Sequence, residues 1–407
     1  MIDYQKIKTV CNNNNRISKS LVDEFLLYFI AQKEGLEGII IRQLNNYQKI
    51  IAKMPKEWAG MLMSQLIAHR IFKKNGLAGE YLNHAWVQMR KPEDLEYLRF
   101  QIEHPWRFSY CSIQSNVAEN IYEMKDVLSD EIFLLYSPGL ANTIRDFGSA
   151  PHLWFLLIGF NGECYQTYGT LEYFKGIQPF DLLFFAKQLN SKIPSFNEVP
   201  DLIESNPMPF LLVWSGAELP VTFHKKDLVV FNKSELYIKD FSLEKYEEDF
   251  IIEKNHPIYM LSLKRWHSFP HFAKCFYHAT KNQLLITSMT KRGYDALISA
   301  LNKRENNFSI NPEILVTPAM LFVVKDVLHI DVEINPYEKH FQKETLPQNQ
   351  KELDKINLFL KNLISKLNNK LDYDISEMAS DAGIGILVAE QIAASLIKKI
   401  SNNPGKK

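Results

Sequence analysis

Apolar and polar positions follow two different periods along this chain, and the change falls near residue 105. Between residues 18 and 103 apolar residues recur every three or four positions, the repeat of a helix buried along one face. "SKSLVDEFLLYFIAQKEG" is predicted to start at Ser18 or Ser20 and to stop at Gly35. "KEWAGMLMSQLIAHRIFKKNG" ends in basic residues before Gly76, which suits the negative end of a helix. "KPEDLEYLRFQIEHP" predicts a third helix, with Pro92 in its first turn, Glu93 and Asp94 at its positive end and Pro105 as its stop.

From Trp106 the pattern shifts to short aromatic and β-branched runs separated by turn residues. "RFSYCSI", "NIYEMKD" and "EIFLLYS" predict strands, the last two joined as a hairpin through "VLSD". "HLWFLLIGFNGECYQTYGTLEYF" predicts a second hairpin that turns at Asn161-Gly162, and Pro179 then opens the helix "PFDLLFFAKQLN". A similar order returns in "HFAKCFYH" and "QLLITSM". There Thr290 caps "KRGYDALISALNK", whose Tyr294, Leu297, Ile298 and Leu301 share one face. "DLVVFNKSELYIKDF" before "SLEKYEEDF" is a weaker third instance, and "EKYEEDFIIEK" reads as the wet face of an amphipathic helix.

"LPQNQ" marks a linker near residue 348. Beyond it Leu353, Ile356, Leu360, Leu363 and Leu367 form a seam that spans only two heptads, so core packing is expected in preference to a coiled coil. Asp374 and Glu377 predict a capping box, Gly383 a helix end, and Gly385 the entry to a final helix reaching about Ile400. The whole reads as an α+β protein: a helical region over 1–105, an α+β domain of repeated hairpin–helix units over 106–345, and a C-terminal helical region over 346–407 with a helix-turn-helix-like pair.

Composition changes this picture little. At 407 residues, 46% hydrophobic and 23% charged, the chain has the make-up of an ordinary multi-domain globular protein. Lys plus Arg and Asp plus Glu are balanced at 47 each, so no overall field favours nucleic acid or anionic lipid. The opening "MIDYQKIKTVCNNNNRISKS" lacks the apolar run of a secretion signal, and its asparagine tract reads as a flexible spacer. No stretch approaches the roughly 18 apolar residues of a membrane span, so a soluble, cytoplasmic protein is expected. Cys11, Cys111, Cys164 and Cys275 form no CxxC pair, which points to free buried thiols and to no cofactor.

Candidate chemistry is sparse. "KRWHSFPHFAKCFYHATKNQ" gathers His267, His271, Cys275 and His278, but in a strand His271 and Cys275 stand about 13 Å apart and His278 points the other way. A helix would bring His267 and His271 together, yet Pro270 lies between them, so at most two metal ligands come from here. "VWSGAELP" sets Ser215 in an expected turn after "PFLLVW", with His224 downstream; a turn serine reacts only if a base lies within hydrogen-bond reach. "DAGIGILVAEQIAAS" lacks the preceding strand and third glycine of a dinucleotide loop. As a DNA reader, the segment 374–401 would begin with an almost wholly apolar recognition helix, and the basic tail "KKISNNPGKK" reads as a solvated end. Trp106, Trp154, Trp214 and Trp266 sit at the borders of predicted strands, and any left exposed is a natural anchor for a protein partner.

The run "HPWRFSYCSIQSNVAENIYEMKDVLSDEIFLLYSPGL", with "WFLLIGFNGECYQTYG", "LSLKRWHSFPHFA" and "INPYEKHF", resembles a family of uncharacterised bacterial proteins over roughly residues 60–345. That resemblance implies a bacterial cytoplasmic setting and transfers no activity. Three readings follow. The leading one is a non-catalytic protein acting through protein–protein contacts. The second is a hydrolase using Ser215 or the His267–His278 region, and the third a DNA-associated regulator using residues 374–401.

Overall fold

The computed structural model describes residues 2–52, 54–147, 153–174, 176–192, 195–221, 230–237, 241–303, 307–341, 348–368, 371–386, 388–390, 392–393 and 396. At 56, 146–147, 215–221, 230–231, 233–237, 348–353 and 368 the description is of the backbone alone. The protein is of the α+β class and divides into two compact units, Met1–Pro336 and Tyr337–Lys407.

The first unit contains a closed five-stranded barrel made of β1 (Arg107–Ala118), β2 (Ile121–Asp126), β3 (Ile132–Tyr136), β4 (Leu153–Phe160) and β5 (Tyr165–Phe174). Around the barrel the order is β1-β2-β3-β5-β4, antiparallel throughout except for the parallel pair β3–β5. Strand β1 is long enough to serve two partners: residues 107–112 pair with β4 and residues 111–118 with β2. A helix, Pro138–Phe147, connects β3 to β4. This order and helix position are the topology of the OB-type barrel.

Alternation along β4 explains its unbroken apolar sequence. Trp154, Leu156 and Ile158 point into the barrel with Cys111, Tyr122, Met124, Phe133 and Leu135. Phe155 and Leu157 point outward with Phe108 and Tyr110 into a larger core shared with helices. A strand buried on both faces cannot show a polar–apolar alternation.

The helices that cover this outer face are Lys56–Phe72, Val199–Ser205 and Pro207–Val221. Trp106 is the pin between the layers, stacked between Phe72 at 4.2 Å and Tyr168 at 3.6 Å, with its indole N–H donated to Gln101 Oε1 at 2.6 Å. Gly159 makes room for it, because a Cβ there would lie 2.7 Å from the Trp106 ring. Gly169 has φ +79 and faces Gln65 of helix Lys56–Phe72 at a similar separation. Helix Pro92–Glu103 begins with Pro92 and carries Glu93 and Asp94 in its first turn, as its sequence requires.

Three expectations for the first unit are corrected. The asparagine tract is no spacer: Tyr4–Ser18, Lys19–Leu26 and Leu27–Glu34 form one helical run, capped by Asp3 and ended by Gly35 at φ +61. Tertiary partners override the weak helix propensity of asparagine, since Asn12 accepts from Tyr136 and Asn14 and Asn15 bond Gln166. "PFLLVWSG" is the helix Pro207–Val221, so Ser215 lies in a helix and in no turn. The acidic run 244–254 holds a short helical turn at Leu243–Tyr246 and then the strand Phe250–Asn255, so it is no amphipathic helix.

A second, six-stranded sheet has the order β11-β6-β10-β9-β8-β7 and is antiparallel throughout. Its strands are β6 (Val230–Tyr237), β7 (Phe250–Asn255), β8 (Ile258–Leu263), β9 (Lys274–His278), β10 (Gln283–Ser288) and β11 (Ile314–Val316). Thr290 caps helix Lys291–Asn302 by accepting from Gly293 N, and Tyr294, Leu297, Ile298 and Leu301 pack onto Leu261, Cys275, Leu284 and Ile286.

In the second unit, helix Gln348–Asn368 buries Phe359 and Leu363 against Met378, Ala379 and Ala382 of helix Ile375–Ala382. Asp374 caps that second helix and Gly383 ends it at φ +66. Leu346 and Pro347 of the expected linker, and the whole basic tail 398–407, lie outside the described residues.

Candidate functional site: a basic cleft beside the His69–Glu204 pair

Helix Lys56–Phe72 ends in Leu66, His69, Arg70 and Lys73, spaced so that all four fall on one face. That face forms one wall of a cleft of about 200 Å³. Ile40 and Gln43, from helix Leu36–Asn45, form a second wall. The third is the junction Ser205-Asn206-Pro207-Met208, where helix Val199–Ser205 stops and helix Pro207–Val221 starts.

His69 is 2% exposed. Its Nε2 lies 2.7 Å from Glu204 Oε2, and its ring packs on Phe108 with centroids 4.7 Å apart. The other oxygen of Glu204 accepts the Phe108 backbone N–H at 2.7 Å. One carboxylate thus joins strand β1 to the end of helix Lys56–Phe72 and fixes the histidine at the cleft floor. Ser205 is no nucleophile poised on that histidine, because its hydroxyl donates to Leu202 O at 2.9 Å.

Arg70 and Lys73 have no acidic partner among the described residues. Their charge complements the carbonyl end of their own helix. Across the cleft begins a 15-residue helix, whose first-turn N–H groups carry partial positive charge. Two cations and a helix start of the same sign surround one concavity, an arrangement whose electrostatics favour an anion.

The residues singled out by sequence lie elsewhere. Trp106 and Trp154 are each 1% exposed and face the interior. Trp214 stacks on Trp58 at 5.7 Å, and Trp266 lies edge-on to His271 at 4.4 Å, packed against the second sheet's core. Trp214 and Trp266 are half-buried, and the fully exposed tryptophan is Trp86, at 63%. His267 Nδ1 bonds Lys264 O, His271 Nδ1 bonds Thr290 Oγ1, His278 Nδ1 bonds Thr280 Oγ1, and Cys275 is fully buried. Among the described residues no three His, Cys, Asp or Glu side chains come together as a metal site. The side chain of Ser215 and all of His224 lie outside the described residues.

In the sequence, the basic end of helix Lys56–Phe72 reads only as a complement to its own dipole. Asn206-Pro207, an N-cap residue followed by the proline of a first helical position, was the signal for the facing helix. Nothing in the sequence marks Glu204, whose role rests on meeting residues 96 and 135 positions away.

In OB-type barrels the outer face of β2 and β3 carries ligands. Here Ile121, Leu134 and Tyr136 on that face pack against Tyr4, Ile7 and Cys11 of the first helix, so the chain covers it with its own segment. Among the described residues no helix is long and apolar enough to cross a membrane. No family model, curated protein or solved structure matches this chain.

Proposed function

We propose that this chain is a non-catalytic binding protein that holds a small anion, of the size of phosphate or a phosphomonoester head, in the cleft between Arg70, Lys73 and the start of helix Pro207–Val221. The observation that carries this reading is the pair of uncompensated cations lining one concavity with a helix N-terminus. Size supports it: about 200 Å³ falls below the roughly 300–1,000 Å³ of pockets that enclose drug-sized ligands. The buried His69–Glu204 pair supplies a fixed floor, and Glu204, being acidic, limits how much negative charge the site accepts.

Calorimetric titration of the full chain with inorganic phosphate tests the proposal. Binding in the millimolar range is expected, weakening with added salt and falling roughly tenfold in Arg70→Ala or Lys73→Ala, the loss of one charge-assisted contact. Binding that neither substitution alters, or none at millimolar phosphate, overturns it.

A further inference from the structure

Cys11 and Cys164 are 153 positions apart in sequence, yet their sulfurs lie 3.4 Å apart in the fold. All four cysteines are free thiols, and only these two are brought together among the described residues. Both are buried, at 0% and 2% exposure.

The pair is held from both sides. Asn161 Oδ1 accepts from the backbone N–H groups of Glu163 and Cys164, which fixes the β4–β5 turn that carries Cys164. Asn161 Nδ2 reaches both sulfurs, at 3.2 Å for Cys11 and 3.7 Å for Cys164. Gln166 Nε2 donates to Cys11 O and to Asn15 Oδ1, which fixes the helix that carries Cys11. Lys6–Glu163 and Lys8–Glu119 ion pairs flank the contact.

We propose that Cys11 and Cys164 are a dithiol site that closes to a disulfide within the native fold, with hydrogen peroxide as the oxidant, and so fastens the first helix to the barrel. The sulfurs need to approach by about 1.4 Å to reach the disulfide bond length of roughly 2.0 Å, within the range of a side-chain rotation. The S–H of Cys164 and the amide of Asn161 stabilise a thiolate on Cys11 and hold its pKa below the usual thiol value, against the opposing effect of burial.

The chemistry balances. The Cys11 thiolate attacks one peroxide oxygen, the O–O bond breaks, and hydroxide leaves, giving a sulfenic acid. The Cys164 sulfur then attacks the Cys11 sulfur, its proton goes to the departing oxygen, the S–O bond breaks and water leaves. In sum two S–H groups and one peroxide become one S–S bond and two waters. The resolving thiol stands next to the first, so closure is expected to outrun over-oxidation of the sulfenic acid. A small neutral oxidant suits the burial of both thiols.

The consequence is specific to this architecture. The helix that carries Cys11 covers the β2–β3 face of the barrel through Ile7, Ile121 and Tyr136. The bond converts that packed cover into a covalent one and closes a loop of 153 residues.

The test uses the full native chain, oxidised with graded peroxide, then unfolded and alkylated at remaining thiols. Expected are a mass loss of about 2 Da, a peptide linking Cys11 to Cys164, protection of two thiols from alkylation, and full reversal by dithiothreitol. The oxidised form should melt higher by at least about 5 °C, and Cys11→Ser and Cys164→Ala should abolish that shift. Two outcomes overturn the proposal. One is alkylation of Cys11 and Cys164 at peroxide levels that exhaust an exposed model thiol. The other is oxidation that stops at sulfinic acid on Cys11 with no crosslink.

Discussion

Glu172 offers the sharpest test of the packing described above. It lies on the outer face of β5, paired with Phe155 of β4, and both of its carboxylate oxygens are buried with no hydrogen-bond partner among the described residues. The Thr170 hydroxyl, which would ease this, donates to Gln65 Oε1. Burial raises the Glu172 pKa well above 4.5, with Thr170 acting in the opposite sense. Because the folded value exceeds the unfolded one, the acid contributes its full stability below about pH 4.5 and loses it as pH rises through the folded value, by up to about 1.4 kcal/mol per pH unit. Asp181 behaves in the same sense: burial raises it from 3.8 to about 7. Its effect is shared by wild type and variant and cancels in their difference. Replacing Glu172 by Met removes the unpaired oxygens with a flexible chain of similar length, and is expected to stabilise the first unit by about 1–3 kcal/mol at neutral pH. The gain should grow as pH rises above about 4.5 toward the raised folded value. Urea denaturation of both proteins across that range measures it. A variant less stable than wild type near pH 8, or a difference that does not change with pH, would refute the reasoning.

Two further substitutions probe the frame around the cleft and barrel. Asp181 is buried and accepts from Gln178 N at 2.8 Å and Thr317 N at 2.7 Å. Asp181→Ala therefore removes a cap and strands a buried N–H, at a cost of about 2–4 kcal/mol in chemical denaturation; a loss under half a kcal/mol would show the contacts to be idle. Gly159→Ala pushes a methyl to 2.7 Å from the Trp106 ring and 2.9 Å from Tyr168, and a penalty of about 1–3 kcal/mol is expected. Tryptophan fluorescence of that variant should shift as the Phe72–Trp106–Tyr168 stack moves, and an unchanged spectrum with unchanged stability counts against the stack as a rigid pin.

Elements were legible where the local pattern and the tertiary setting agreed. The Asn161-Gly162 turn, with Gly162 at φ +97, follows from the dipeptide, and Thr290 caps its helix as its position predicts. The pattern failed where long-range partners decided. Asn12, Asn14 and Asn15 are poor helix residues in isolation, and they become helical because Tyr136, Tyr168 and Gln166 satisfy their amides. "PFLLVW" is apolar at every position because helix Pro207–Val221 is enclosed by other helices and the barrel, which erases the periodicity that separates helix from strand. The barrel's closure was invisible for a related reason: the parallel pairing of Leu135 with Tyr165 and Tyr136 with Gln166 joins strands separated by a helix and a hairpin arm.

The candidate cleft shows the same division at the level of single side chains. Arg70 and Lys73 at the end of a helix look identical in sequence whether they merely complement their own carbonyls or also face an anion. What distinguishes the two cases is the opposite wall, and that wall exists because Glu204 bonds the Phe108 N–H and His69 at once. The carboxylate draws helix Val199–Ser205 against β1 and thereby sets where helix Pro207–Val221 begins. A charge that reads as one more surface acid in the chain is therefore the residue on which the cleft's geometry depends. Anion binding should then respond to Glu204 through both its position and its charge. Removing its negative charge by Glu204→Gln keeps an acceptor for Phe108 N–H and should tighten phosphate modestly, whereas Glu204→Ala, which frees the junction, should weaken it.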